Sequence, residues 1–291
     1  MSAYRFLCGT FAVGTDMDAI GQMYARWAAG DMGADDQWGD VTAEPRGVDY
    51  AEVSAHGVPA MWLAPHGADP DRVILALHGG GFVGGSLYTH RKMYGHLAKA
   101  AGVRVLLATY RHTPEFRYPT QIDDAVTAYR WVAARARTVA LTGDSCGGGL
   151  AVQVALREPG VAALLLLSPW IDMDPAQTAT SYEENAGTDL FFTRPMVQGL
   201  IQQYLPEGIS GLAPEVNAFH RDLSVLPPVY VQCGGDESGR GDGERLATLT
   251  GARLDVFDRQ LHTFQMAAGR APVADEAIGR LAAWVRPKLG L

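Results

Sequence analysis

Seven consecutive apolar residues, Val161 to Leu167, constrain this chain more than any other stretch. The run is far too short to span a membrane, and it lacks the polar alternation of a strand with one wet face. It reads as a strand covered on both sides, as in a parallel sheet sandwiched between helices. Further strand-like runs are Val48–Ser54, Ala60–Ala64, Val73–His78, Val103–Tyr110, Val139–Gly143, Val229–Cys233 and Arg253–Phe257. Helix-like stretches lie at Thr89–Ala101, Ile122–Ala136, Ser145–Leu156, Gly243–Leu249 and Val273–Lys288. Strands alternating with helices imply a mostly parallel, doubly wound α/β sheet.

Two segments break the alternation. Residues 1–44 are helix-like and precede the first strand, and residues 175–222 separate two core strands without supplying one. The expected organisation is an N-terminal cap segment, 1–44, and a catalytic domain, 45–291, with a cap insertion at about 175–222 that could serve as a lid. Apolar residues of the insertion include Tyr182, Leu190, Phe191, Phe192, Met196 and Tyr204.

At the junction of one strand and its helix stands Thr142-Gly143-Asp144-Ser145-Cys146-Gly147-Gly148-Gly149, which contains G-x-S-x-G. A serine at such a turn sits on a sharp corner with its hydroxyl exposed at the helix N-terminus. That geometry suits a nucleophile attacking a carbonyl. Its partners should follow in the order acid, then histidine. Only His220 and His262 follow Ser145, and only His262 comes just after a strand, where open α/β sheets place their sites. For the acid, Asp236 directly follows the strand ending Cys233-Gly234-Gly235. Glu237, Asp242 and Glu244 compete for that role, although their positions also suit a solvated loop or the first turn of a helix. Backbone donors for an oxyanion are expected from Cys146 and from His78-Gly79-Gly80-Gly81, with His78 itself structural.

Gly79-Gly80-Gly81-Phe82-Val83-Gly84 also satisfies the dinucleotide fingerprint. The next strand ends Ala108-Thr109-Tyr110-Arg111, without the acid that would bind a ribose; Arg111 could meet the 2′-phosphate of NADP instead, but a nucleotide site would leave Ser145, Asp236 and His262 unexplained. Composition narrows the field further. The net charge is −8 and no basic block exists, which argues against nucleic acid. Cys8, Cys146 and Cys233 are too scattered for a disulfide framework or a metal knuckle. No apolar run is long enough for a membrane span, and Met1 to Gly14 lacks the layout of a signal peptide. The expectation is a cytoplasmic protein without stable membrane association.

The residues resemble the hormone-sensitive-lipase-like esterases, a branch of the α/β-hydrolases. The resemblance rests on His78-Gly79-Gly80-Gly81-Phe82; on Tyr110-Arg111 to Pro114-Glu115 with Pro119, Asp123-Asp124-Ala125 and Trp131; on Gly143 to Gly148; and on the Asp236 and His262 loops. It implies an α/β-hydrolase fold, with a mostly parallel eight-stranded sheet flanked by helices and a helical cap. It implies a Ser145–His262–Asp236 triad and an oxyanion hole from Gly79, Gly80 and Cys146. It also implies a serine carboxylesterase that hydrolyses short- to medium-chain carboxylic esters through an acyl-enzyme, with no metal and no organic cofactor, and several members form homodimers. Phe82, Tyr182, Phe191, Phe192 and Met196 are the expected substrate-binding side chains. Lactone, amide or formamide substrates are the alternatives, and a small-molecule receptor is a more distant one. The chain departs from the family in having Cys146 where alanine is usual. Its acid loop, Asp236-Glu237-Ser238-Gly239-Arg240-Gly241-Asp242, has glycines around an arginine and lacks the usual leucine.

Overall fold

A computed structural model describes residues 16–31, 38–189 and 191–291. Cys8, Leu190 and much of the expected N-terminal cap segment lie outside the described residues. The eight expected strands are all present. They are β1 (Val48–Ala55), β2 (Val58–Pro65), β3 (Asp69–Leu77), β4 (Val103–Ala108), β5 (Thr138–Asp144), β6 (Val161–Leu167), β7 (Val229–Gly234) and β8 (Arg253–Phe257). They form one sheet in the order β1-β2-β4-β3-β5-β6-β7-β8. Strand β2 runs antiparallel to β1 and β4, and the remaining pairs are parallel.

The helices are α1 (Asp16–Ala28), α2 (Leu87–Ala101), α3 (Thr120–Ala133), α4 (Cys146–Ala155), α5 (Ser181–Glu184), α6 (Arg194–Tyr204), α7 (Arg240–Thr250) and α8 (Pro272–Val285). Successive side chains of a strand face opposite ways, so each central strand feeds two cores. Val73, Leu75, Leu77, Leu141, Leu164 and Leu166 join the core beneath α3 and α4. Ile74, Ala76, Ala140, Ala163, Leu165 and Leu167 join the core beneath α2 and α8. That double burial is why β6 reads as an unbroken apolar run.

The chain reverses its direction of travel across the sheet at β3, which has β4 on one side and β5 on the other. The connections from β3 and β5 leave from the carboxyl ends of adjacent strands, and the crevice there is where such sheets bind ligands.

The segment after β6 is tied to α7. The Asp242 carboxylate accepts the N–H groups of Ile171 and Asp172, at 2.6 and 2.8 Å. Asp172 in turn pairs with Arg245 at 2.9 Å and accepts the Asn217 amide at 2.6 Å. Burial, followed by the neighbouring Asp172 charge, pushes the Asp242 carboxyl up to about 7. A raised carboxyl holds its proton in the folded state where the unfolded chain has already released it. Stability from this group is therefore complete below about pH 4 and is lost as the pH rises through about 7. Thermal melts between pH 5 and pH 8 should show Asp242→Asn losing less stability with rising pH than the wild type. Parallel pH dependences for the two proteins would contradict this.

Candidate active site

Ser145 stands between β5 and α4 with φ 52° and ψ −126°, outside the conformations that ordinary side chains favour. The strained corner is held by its own backbone bonds. Its N–H donates to Leu167 O at 3.0 Å, and its carbonyl accepts from Gly148 at 2.9 Å and Trp170 at 2.9 Å. The flanking glycines are required by close approach. A Cβ on Gly143 would overlap the Gly147 carbonyl, and one on Gly147 would overlap the Leu77 carbonyl. Cys146 opens the helix, so its N–H is among the first-turn amides that have no partner within the helix.

The neighbouring loop is anchored by a buried anion. Asp144 Oδ1 accepts the Gly79 N–H at 3.0 Å and the Tyr94 hydroxyl at 2.6 Å, and Oδ2 lies 3.2 Å from His90 Nε2. Burial alone would raise this carboxyl, but the His90 charge, with hydrogen bonds from His90 and Tyr94, holds it below its ordinary value. Gly79, an expected oxyanion donor, is therefore already engaged by Asp144. The open faces of the loop belong to Gly80 and Gly81, both of which line the cavity over Ser145. The turn that presents them is closed by Val83 and Gly84, whose N–H groups donate to Gly80 O. His78 is structural, with Nδ1 2.7 Å from Gly79 O and Nε2 2.8 Å from Thr109 Oγ1. Burial pushes its pKa down to about 3 and keeps the ring neutral.

Cys146 is buried below the same loop. Tyr110 donates its hydroxyl hydrogen to His78 O at 2.8 Å, and the Cys146 sulfur lies 3.3 Å from that hydroxyl. The thiol thus continues a hydrogen-bonded chain, and burial raises its pKa to about 11. Arg111, the residue that could have met a nucleotide phosphate, is held by Asp124 through Nε at 3.0 Å and Nη2 at 2.8 Å.

His262 follows β8 and shares the cavity with Ser145. Its Nδ1 lies 3.2 Å from Glu237 Oε2, while the buried Nε2 has no hydrogen-bond partner among the described residues. Asp236 was the expected acid, but the structure brings Glu237 to the imidazole instead. Main-chain bonding toward the histidine loop continues past β7, through Gly235 N–H to Phe257 O at 2.7 Å and Asp236 N–H to Gln260 O at 3.0 Å. The first residue released from that pairing is Glu237, and its carboxylate is fully buried. Burial alone would lower the pKa of His262. The Glu237 hydrogen bond and charge, helped by Asp189 and Asp144, outweigh it and raise the value above that of an ordinary imidazole. The histidine loop is clamped from above by Tyr24, whose hydroxyl donates to His262 O at 2.6 Å and lies 2.8 Å from Thr263 Oγ1.

The cavity measures about 300 Å³ and is walled by Tyr24, Trp27, Trp38, Phe191, Met196 and Leu200, among others. Of the side chains expected to bind substrate, Phe191, Phe192 and Met196 line this cavity, whereas Phe82 and Tyr182 do not. Phe82 is buried beside it, stacked on Tyr204 with ring centroids 4.1 Å apart. The Tyr182 hydroxyl donates to Gln177 at 2.8 Å, and the Arg194 guanidinium covers its ring. The wall that the sequence reading missed comes from α1. Tyr24 and Trp27 are three residues apart, which puts both rings on one helix face, and that spacing was the available signal.

A family model described as alpha/beta hydrolase fold matches residues 74–266. An esterase of the bacterial hormone-sensitive lipase family superimposes with a TM-score of 0.87 at 35% identity, covering 96% of this chain and 100% of that one. This chain belongs to the hormone-sensitive-lipase-like esterases of the α/β-hydrolase fold. An acetyl-hydrolase of Streptomyces hygroscopicus is 33% identical over 227 residues, 75% of each chain. The esterase LipI of Mycobacterium tuberculosis is 33% identical over 231 residues, 72% of this chain and 70% of its own.

The acid assignment has a direct test. Glu237→Gln should lower kcat by about 10²- to 10⁴-fold and move the acidic limb of kcat/KM to lower pH, because the imidazolium loses its counter-charge. Asp236→Asn should stay within about threefold of wild type. The reverse ranking in steady-state kinetics would return the role to Asp236.

Proposed function

We propose that the protein is a serine carboxylesterase that hydrolyses short-acyl esters through an acyl-enzyme. The observation that carries this reading is a buried imidazole with one nitrogen on Glu237 and the other without a hydrogen-bond partner among the described residues, in the same cavity as a strained serine. Ser145 Oγ attacks the ester carbonyl and its proton passes to His262 Nε2. The developing oxyanion accepts the N–H groups of Gly80, Gly81 and Cys146. Collapse of the tetrahedral intermediate breaks the bond to the alcohol, which leaves with the proton from Nε2. Water then attacks the acyl carbon, gives a proton to Nε2, and the same proton returns to Ser145 as the acid departs. Glu237 accepts the Nδ1 hydrogen throughout and stabilises the imidazolium.

The cavity volume is at the lower end of the range for small-molecule sites, and its wall is dominated by apolar and aromatic side chains. Both features favour a small apolar acyl group over a long chain. The name of one relative, acetyl-hydrolase, agrees with that preference.

A p-nitrophenyl ester series from acetyl to palmitoyl tests the proposal. Turnover should be greatest for short acyl groups and nearly absent for palmitoyl. Ser145→Ala should reduce kcat by about 10⁴-fold or more, and a folded Ser145→Ala protein that keeps most of its activity would sink the mechanism. Trp27→Ala opens one wall and should raise the ratio of octanoate to butyrate kcat/KM. An unchanged ratio would remove Trp27 from the acyl-binding surface.

A further inference from the structure

The loop that carries Glu237 is bonded at almost every step to the insertion. Thr188 Oγ1 donates to Asp236 O at 3.3 Å, Asn185 Nδ2 to Glu237 O at 2.8 Å, and Ser181 Oγ to Ser238 O at 2.6 Å. Arg240 closes the loop from below, donating to Gly235 O at 2.6 Å and pairing with Glu184 of α5 at 2.6 Å. At the centre of this seam is Asp189, only 1% exposed. Its Oδ2 accepts the N–H of Ser238, next to Glu237, at 2.8 Å. Its Oδ1 accepts the N–H of Phe192 at 2.9 Å. The Phe192 ring lies flat on the His262 imidazole, with centroids 4.3 Å apart and planes 14° from parallel.

One buried carboxylate therefore grips two supports of the histidine. One is the loop that aims Glu237 at Nδ1, and the other is the ring that covers a face of the imidazole. We propose that Asp189 is a positioning residue for the reaction, which fixes Glu237 and Phe192 against His262 and adds a second negative charge behind the imidazolium. It touches neither the substrate nor the reacting atoms. A carboxylate suits the position because both oxygens are acceptors, and an amide would turn an NH2 group toward one of the two N–H donors. The charges that bear on His262 come from three directions: Glu237 after β7, Asp189 in the insertion and Asp144 at the end of β5. Each favours the protonated ring, so removing any one makes the imidazole easier to deprotonate.

The glycines of the acid loop serve the same seam. A Cβ on Gly239 would crowd the Phe192 ring, and one on Gly241 would crowd Ala179 and Ser181. Their small size lets the insertion reach the loop.

The inference rests on the serine-esterase reading, so the experiment first requires p-nitrophenyl butyrate hydrolysis by the wild type and its loss in Ser145→Ala. Failure there overturns the reaction, whereas success there with failure below overturns only the role of Asp189. Asp189→Asn should lower kcat by about 10- to 100-fold with KM within about threefold, counted per active site titrated by the p-nitrophenol burst. Its acidic limb in kcat/KM should move to lower pH. Asp189→Glu keeps the charge but displaces it, and should lower kcat while holding the acidic limb near the wild-type position. Ser181→Ala removes a neighbouring bond of the same loop without a charge and should leave the limb unmoved. Two results would overturn the proposal. One is an Asp189→Asn enzyme with wild-type kcat and pH profile, or one whose loss is accounted for by fewer titratable sites. The other, decisive even if Asp189→Asn does not fold, is an Asp189→Glu enzyme with wild-type kcat.

Discussion

The buried Asp144 carboxylate is the contact on which the site depends. It sits one residue before the nucleophile, at the end of β5, and reaches across the switch point to the Gly79 amide after β3. The serine corner and the glycine loop thus share one anchor, and Tyr94 and His90 of α2 satisfy its oxygens from the other face of the sheet. A buried carboxylate without those partners would cost several kcal/mol. With them it sets how far the loop stands from Ser145. The neighbouring steric limit, Gly147 against the Leu77 carbonyl, sets how closely α4 approaches β3.

Much of this was legible in the sequence because sterics and periodicity are local. The double burial of β6 and the strand–Gly-x-Ser-x-Gly–helix junction need only neighbouring residues to be read. The His262 loop was legible from its position after β8. The choice of acid was less so, because it depends on how far main-chain pairing continues past β7, through Gly235 and Asp236, before a side chain is released. The same holds for Gly79. Its amide looked free for a ligand until Asp144, sixty-five residues away, was found bonded to it. The ring wall of α1 and the burial of Phe82 and Tyr182 are products of long-range packing and left only weak marks in the sequence.

The acid loop departs from its family pattern in a way that the fold explains. Without the usual leucine it has no apolar peg into the core, and its order comes from hydrogen bonds made by Ser181, Asn185, Thr188 and Asp189. Apolar burial is non-directional, whereas these bonds hold named main-chain atoms. The loop has exchanged one kind of support for the other.

The insertion, and α1 beside it, lie over the cavity like a lid, but both are bonded to the residues around the histidine: α1 through Tyr24 to the His262 carbonyl, and the insertion through Asp189 and the stacked ring of Phe192. Neither segment could lift away without disturbing the histidine's alignment. Access to the serine by movement of either segment would therefore come at the expense of that alignment. Cover and catalytic base are one mechanical unit, so the segments that wall the cavity also hold the proton acceptor in register.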